Sequence, residues 1–178
     1  MFTRKFMASF VVGATAVVCF CMTPVSARAQ TPLNFSVGGG LSLPIGDLAN
    51  SSELGLNFGF RGEGRRMQSG WSVRGDMSYD RYTGRGPVDA YSYLALAGNL
   101  VHRTQASRTY QFGGLGLYNS RVARTNFSDA TDTNLGVQMG LGYDLTNDQR
   151  VFGEFGLTSA FTSGRSSVWF PVRIGMRF

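Results

Sequence analysis

Val168-Trp-Phe-Pro-Val-Arg-Ile-Gly-Met-Arg-Phe178 alternates at period two along its whole length. Val168, Phe170, Val172, Ile174, Met176 and Phe178 form one apolar row, and Trp169, Pro171, Arg173, Gly175 and Arg177 form the other. Successive side chains of a strand point to opposite faces, so this pattern reads as a strand with one apolar face. Its length is that of a tilted strand crossing a bilayer, about 9–11 residues.

The opposite end of the chain fits a membrane destination. Met1-Phe-Thr-Arg-Lys5 is a short positive region, and Phe6 to Met22 is a mostly apolar run without charge. Ala27-Arg28-Ala29 supplies the small residues that signal peptidase reads, so residues 1–29 are expected to be a secretory signal peptide cut before Gln30. The rival is an uncleaved anchor, since the apolar run approaches the lower limit of a spanning helix; Pro24 and the Ala-x-Ala site favour cleavage. Cys19 and Cys21 lie within this leader, which leaves residues 30–178 without disulfides.

Residues 30–178 have the size of one domain. They hold 14 arginines against 11 acids, a net charge of +3, too mild to point to nucleic acid. No stretch after the leader is long and apolar enough for a transmembrane helix. The remaining way to cross a bilayer is a closed barrel, in which every backbone group bonds between strands.

Alternating apolar segments recur at even spacing: Leu33–Leu43, Leu54–Glu63, Gly70–Arg81, Ala90–His102, Thr109–Asn119, Thr133–Leu145, Arg150–Phe161 and Val168–Phe178. The segments between them are rich in Gly, Ser, Asn, Asp and Arg, the chemistry of turns. Eight strands place both termini on one side. The row opposite the apolar one is mostly small: in the second strand Gly55, Asn57, Gly59, Arg61 and Glu63, in the sixth Gly136, Gln138, Gly140, Gly142 and Asp144. A water-facing surface would carry Lys, Glu and Thr instead, so the small row suits a narrow lumen. The fold class is therefore all-β, an eight-stranded antiparallel up-and-down transmembrane β-barrel.

One place resists this frame, and the aromatics agree with it. Tyr110 and Phe112 differ in parity from Leu115 and Leu117, so either a β-bulge at Gly113-Gly114 or a different face assignment is needed. Trp71, Tyr79, Tyr82, Tyr91, Tyr93, Tyr110, Tyr118, Tyr143 and Trp169 collect near strand ends and read as interfacial girdles.

On these features the chain resembles the small eight-stranded outer-membrane barrels of the OmpA transmembrane-domain and OmpX type. The resemblance covers the mature chain and carries architecture rather than activity. It implies a bacterial outer-membrane location, periplasmic termini, and outer loops near Pro44–Glu53, Tyr82–Asp89, Ser120–Asp132 and Thr162–Ser167. The last strand resembles the signal read by the barrel-assembly machinery, with Ile174, Met176 and Phe178 as its apolar positions and the glycine displaced.

Within such a lumen Arg61, Glu63, Arg74, Asp76, Asp80, Glu154, Arg173 and Arg177 are expected to pair, because an isolated buried ion is costly. Glu154 and Arg173 lie on adjacent strands and are the expected pair. Charge pairs would plug the barrel, giving a structural or surface-interaction role; a narrow ion or small-solute channel is the alternative. Arg121 and Arg124 match lipopolysaccharide phosphates, and the outer loops offer surface for a protein partner. A lipid-modifying enzyme is a third reading. The sole histidine, His102, sits at a strand end without a His-x-Ser-Asn pattern, and no metal-ligand cluster or cofactor motif accompanies it.

Deleting Phe178 should lower the heat-modifiable, membrane-embedded fraction far more than it lowers the stability of folded protein. One interfacial aromatic contributes only about 1–3 kcal/mol of burial. Equal embedded fractions of wild-type and truncated chains at matched expression would remove the insertion signal.

Overall fold

The computed structural model describes residues 33–86, 88–104, 107–124, 128–162 and 165–178; the leader and its cleavage site lie outside them. Eight strands run β1 (Asn34–Ile45), β2 (Ser52–Glu63), β3 (Trp71–Gly84), β4 (Val88–Arg103), β5 (Thr109–Arg124), β6 (Ala130–Asp144), β7 (Val151–Thr162) and β8 (Arg165–Arg177). A single helical turn, α1 (Asp47–Ser51), joins β1 to β2. Each strand pairs antiparallel with the next, and β8 returns to β1 from Ser36↔Arg177 to Ile45↔Val168. The Phe178 amide extends this seam by donating to the Phe35 carbonyl at 2.9 Å. Closure leaves no unpaired edge, as a medium without water requires.

The distribution of polarity is inside out. Leu56, Leu115, Leu135 and Ile174 are 63–70% exposed on the outer wall. Arg61, Arg74 and Glu154 are at most 4% exposed within. Leaving one such large aliphatic side chain in water rather than burying it costs about 1.5–3 kcal/mol. A continuous belt of them around the barrel needs an apolar medium, so the strands are membrane-spanning. A soluble barrel of the same strands would bury the other parity.

Several boundaries shift. β4 and β5 reach 16 residues and β6 reaches 15, longer than a bilayer crossing requires. The sequence Ser120–Arg124 and Ala130–Asp132 reads as loop by composition, yet Arg121↔Thr131 and Val122↔Ala130 continue the ladder. The connections at the end opposite the termini shrink to residues 46–51, 85–87, 125–129 and 163–164. Arg121, Arg124 and Asp132 accordingly stand on strands, not on a loop.

No bulge interrupts β5 at Gly113-Gly114. Its pairing with β4 runs unbroken from Ala90↔Ala123 to Arg103↔Tyr110, and register shifts occur instead at Ser52/Gly55 and Val88/Ala90. Leu115 and Leu117 face outward, and Tyr110 and Phe112 share the lumen parity of Gly114 and Gly116. The α1 turn, unforeseen in the sequence, is entered through Gly46 at φ 61°, a left-handed conformation glycine adopts without strain.

Cysteines placed at Leu56, Val137 and Ile174 should be quenched by lipid-borne probes, whereas those at Asn57, Gln138 and Arg173 should not. The reverse pattern would give the barrel an apolar interior.

Candidate functional site: the charged lumen

Among the described residues, ten ionisable side chains enter the barrel. Five are arginines (Arg61, Arg74, Arg103, Arg173, Arg177) and five are carboxylates (Glu63, Asp76, Asp80, Asp144, Glu154), so the interior carries no net charge. At mid-depth the Glu154 carboxylate lies 2.8 Å from both Arg61 and Arg74, and it also accepts the Tyr110 hydroxyl at 2.7 Å. Arg74 spans a second carboxylate, Asp76, at 2.8 Å. Gln138 donates to Asp76 at 3.3 Å and to Asn99 at 3.0 Å, extending the network to β4 and β6.

Nearer the termini, Arg103 joins Glu63 at 3.2 Å and Asp144 at 3.4 Å, and Arg177 reaches Asp144 at 2.7 Å. Ser72 donates to Glu63 at 2.5 Å. Toward the far end, Asp80 accepts from Ser42 and from Asn57. Arg61, Glu63, Arg74, Asp76, Glu154, Arg173 and Arg177 are all lumenal, but the partners differ from adjacency. Glu154 and Arg173 face each other in register, yet Glu154 pairs across the lumen with β2 and β3. Arg173 is buried with no carboxylate within ion-pair distance among the described residues. A guanidinium on its long stem spans a narrow lumen as readily as it reaches the neighbouring strand.

Aromatic rings complete the packing, and most of them were read from sequence as girdle residues. Arg103 stacks on Tyr110 at 3.8 Å, Arg74 on Phe112 at 4.4 Å, and Arg61 and Arg177 on Phe152 at 5.1 and 4.6 Å. These contacts take the flat faces of the guanidinium groups while their edges bond carboxylates. Tyr82, Tyr93, Tyr118 and Trp169 form a second cluster at the far end, with Tyr93 and Trp169 centroids 4.7 Å apart. Leu48 of α1 is buried in this cluster. Only Trp71, Tyr79 and Tyr143 of the aromatics named above face the surroundings as large exposed rings.

The glycine-rich row explains how so many rings fit. A Cβ at Gly55 would lie 2.5 Å from the Tyr82 ring, one at Gly136 2.6 Å from Tyr118, and one at Gly140 2.6 Å from Phe112. Gly142 stands against Tyr110 and Gly175 against Phe152 in the same way. Tyr82, Tyr110, Tyr118, Phe112 and Phe152 each lie over a glycine on an adjacent strand.

Arg103 and Asp144 are lumenal residues that sequence reasoning missed as network members. Both stand at strand ends, where parity was the available signal. Outside the lumen, Arg121 is paired with Asp129 at 2.5 Å and Arg124 is exposed. His102 lies on the outer wall, its ring 4.7 Å from that of Trp71. Ile174, Met176 and Phe178 project outward, with Phe178 the most exposed of the three.

No protein-family model matches the sequence, and no curated protein is significantly similar to it. Solved structures do match. Neisserial surface protein A has a TM-score of 0.54 and 17% identity, covering 82% of this chain and 97% of that one. The Yersinia pestis outer membrane protein Ail, in a phospholipid bilayer nanodisc, has a TM-score of 0.55 and 16% identity, covering 83% of this chain and 100% of that one. The N-terminal β-barrel domain of Pseudomonas aeruginosa OprF has a TM-score of 0.51 and 13% identity, covering 85% and 100%. The fold is that of the small eight-stranded outer-membrane barrels.

Glu154→Gln leaves two buried arginines short of charge and should destabilise the barrel by about 3–5 kcal/mol. Asp129→Asn, which breaks the exposed Arg121 pair, should cost no more than about 1 kcal/mol. Equilibrium unfolding in urea from phospholipid vesicles measures both. Equal losses would mean that the interior network does not carry the stability.

Proposed function

We propose that the protein is an integral outer-membrane barrel with a closed lumen, acting as a structural element of the membrane or through contacts at its rims. The carrying observation is the neutral interior of five arginines and five carboxylates, capped at the far end by the Tyr82, Tyr93, Tyr118, Trp169 and Leu48 cluster. An aqueous pore needs a continuous wetted path, and here charged heads bond one another and lie against rings.

Partners follow from the surfaces. Arg124, and Arg121 once released from Asp129, offer guanidinium groups to lipopolysaccharide phosphates. The short far-end connections leave a small platform for a protein partner. Ile174, Met176 and Phe178 on the seam strand are the positions offered to the assembly machinery during insertion.

Planar-bilayer recording from the refolded monomer tests the closed lumen. Wild type should show no steady unitary conductance, and Glu154→Ala together with Trp169→Ala should introduce one. Steady conductance from wild type would replace the plugged barrel with a narrow channel.

A further inference from the structure

The net charge of the mature chain is confined to one end. The turns at the terminal end, residues 64–70, 104–108 and 145–150, carry Arg65, Arg66, Arg108 and Arg150 against a single acid, Asp148. The lumen is balanced, and the opposite end carries five arginines and five acids in sequence. The whole excess of +3 therefore sits on the terminal rim.

Directly above that rim the outer wall is notched. A groove of about 510 Å³ crosses the apolar belt, floored by Gly113 and Gly140 and walled by Leu100, Met139 and Leu141. Its terminal end is closed by the register row Trp71↔His102↔Gln111↔Leu141, which supplies polar atoms where the apolar belt stops. Arg108, exposed and bonded to Asn147 of the next turn, precedes Thr109 at the start of the same strand, β5. An apolar trough, a polar collar and a guanidinium thus follow one another along the strand.

We infer that this groove seats an acidic phospholipid, with an acyl chain lying over Gly113 and the phosphate on Arg108 and the neighbouring rim arginines. A bilayer surrounds the groove with acyl chains, and the charge excess selects an anionic headgroup over a zwitterionic one. The inference needs the membrane setting and a terminal rim facing a phospholipid leaflet. It does not depend on whether the lumen conducts or what the far rim contacts.

The glycines make the test clean. A Cβ at Gly113 meets nothing closer than 3.8 Å, so Gly113→Leu fills the groove without disturbing the wall. Gly98 also faces outward, with nothing within 4 Å, but it does not line the groove; Gly98→Leu is the matched control. Native mass spectrometry of protein purified from membranes, with phosphatidylglycerol and phosphatidylethanolamine added in equal amounts, reads retained lipid directly. Wild type and Gly98→Leu should retain one phosphatidylglycerol in preference to phosphatidylethanolamine. Gly113→Leu should retain neither. Arg108→Gln should keep a bound lipid but lower the preference about fivefold, the effect of one arginine near an anionic surface. Unchanged retention in Gly113→Leu would overturn the seat, and equal retention of both lipids by wild type would overturn the headgroup assignment. A Gly113→Leu barrel that loses its heat-modifiable mobility has misfolded; wild-type preference and Arg108→Gln then decide alone.

Discussion

An eight-stranded barrel closed on itself has an interior only as wide as the side chains of one parity can fill. Everything else in this protein follows from that dimension. The row facing inward has to supply volume without excess. It also has to satisfy polar groups turned away from the lipid. Glycines beneath rings serve the first demand, and arginines shared among carboxylates serve the second around Glu154, Asp76, Glu63 and Asp144. Neither would serve alone, because guanidinium edges satisfy charge while their faces still need something flat to lie against.

Electrostatics and packing are consequently one network. Glu154 holds Arg61 and Arg74, which lie against Phe152 and Phe112, and those rings lie over Gly175 and Gly140. Removing a buried partner leaves the other charge uncompensated, whereas the exposed Arg121–Asp129 pair competes with water at little gain either way.

The sequence made the architecture legible because alternation is local. Val168–Phe178 shows its outward and inward faces in sequence throughout, and all eight strands are visible there, since parity survives any tertiary context. Contacts across the lumen were not legible. Adjacency points Glu154 to Arg173, but the strands that supply its arginines lie on other sides of the barrel. Tyr82, Tyr93, Tyr110 and Tyr118 depart from the girdle expectation for a related reason: ring size suggests an interface, while their parity with Asp80, Asn99 and Gly116 points inward. Recognising a ring's glycine requires the register, which no single segment contains. Strand ends escaped because polar composition says turn, while backbone pairing is indifferent to composition and carried β5 through to Arg124.

The pairing of five inward rings, Tyr82, Tyr110, Phe112, Tyr118 and Phe152, with glycines on adjacent strands bears on which sequences this wall accepts. What is fixed is the occupancy of a cross-strand couple, one large member and one empty one, and not which strand supplies which. Exchanging the members together preserves the lumen, whereas changing either alone leaves a void or a collision. A wall built of such reversible couples accepts many sequences for one shape.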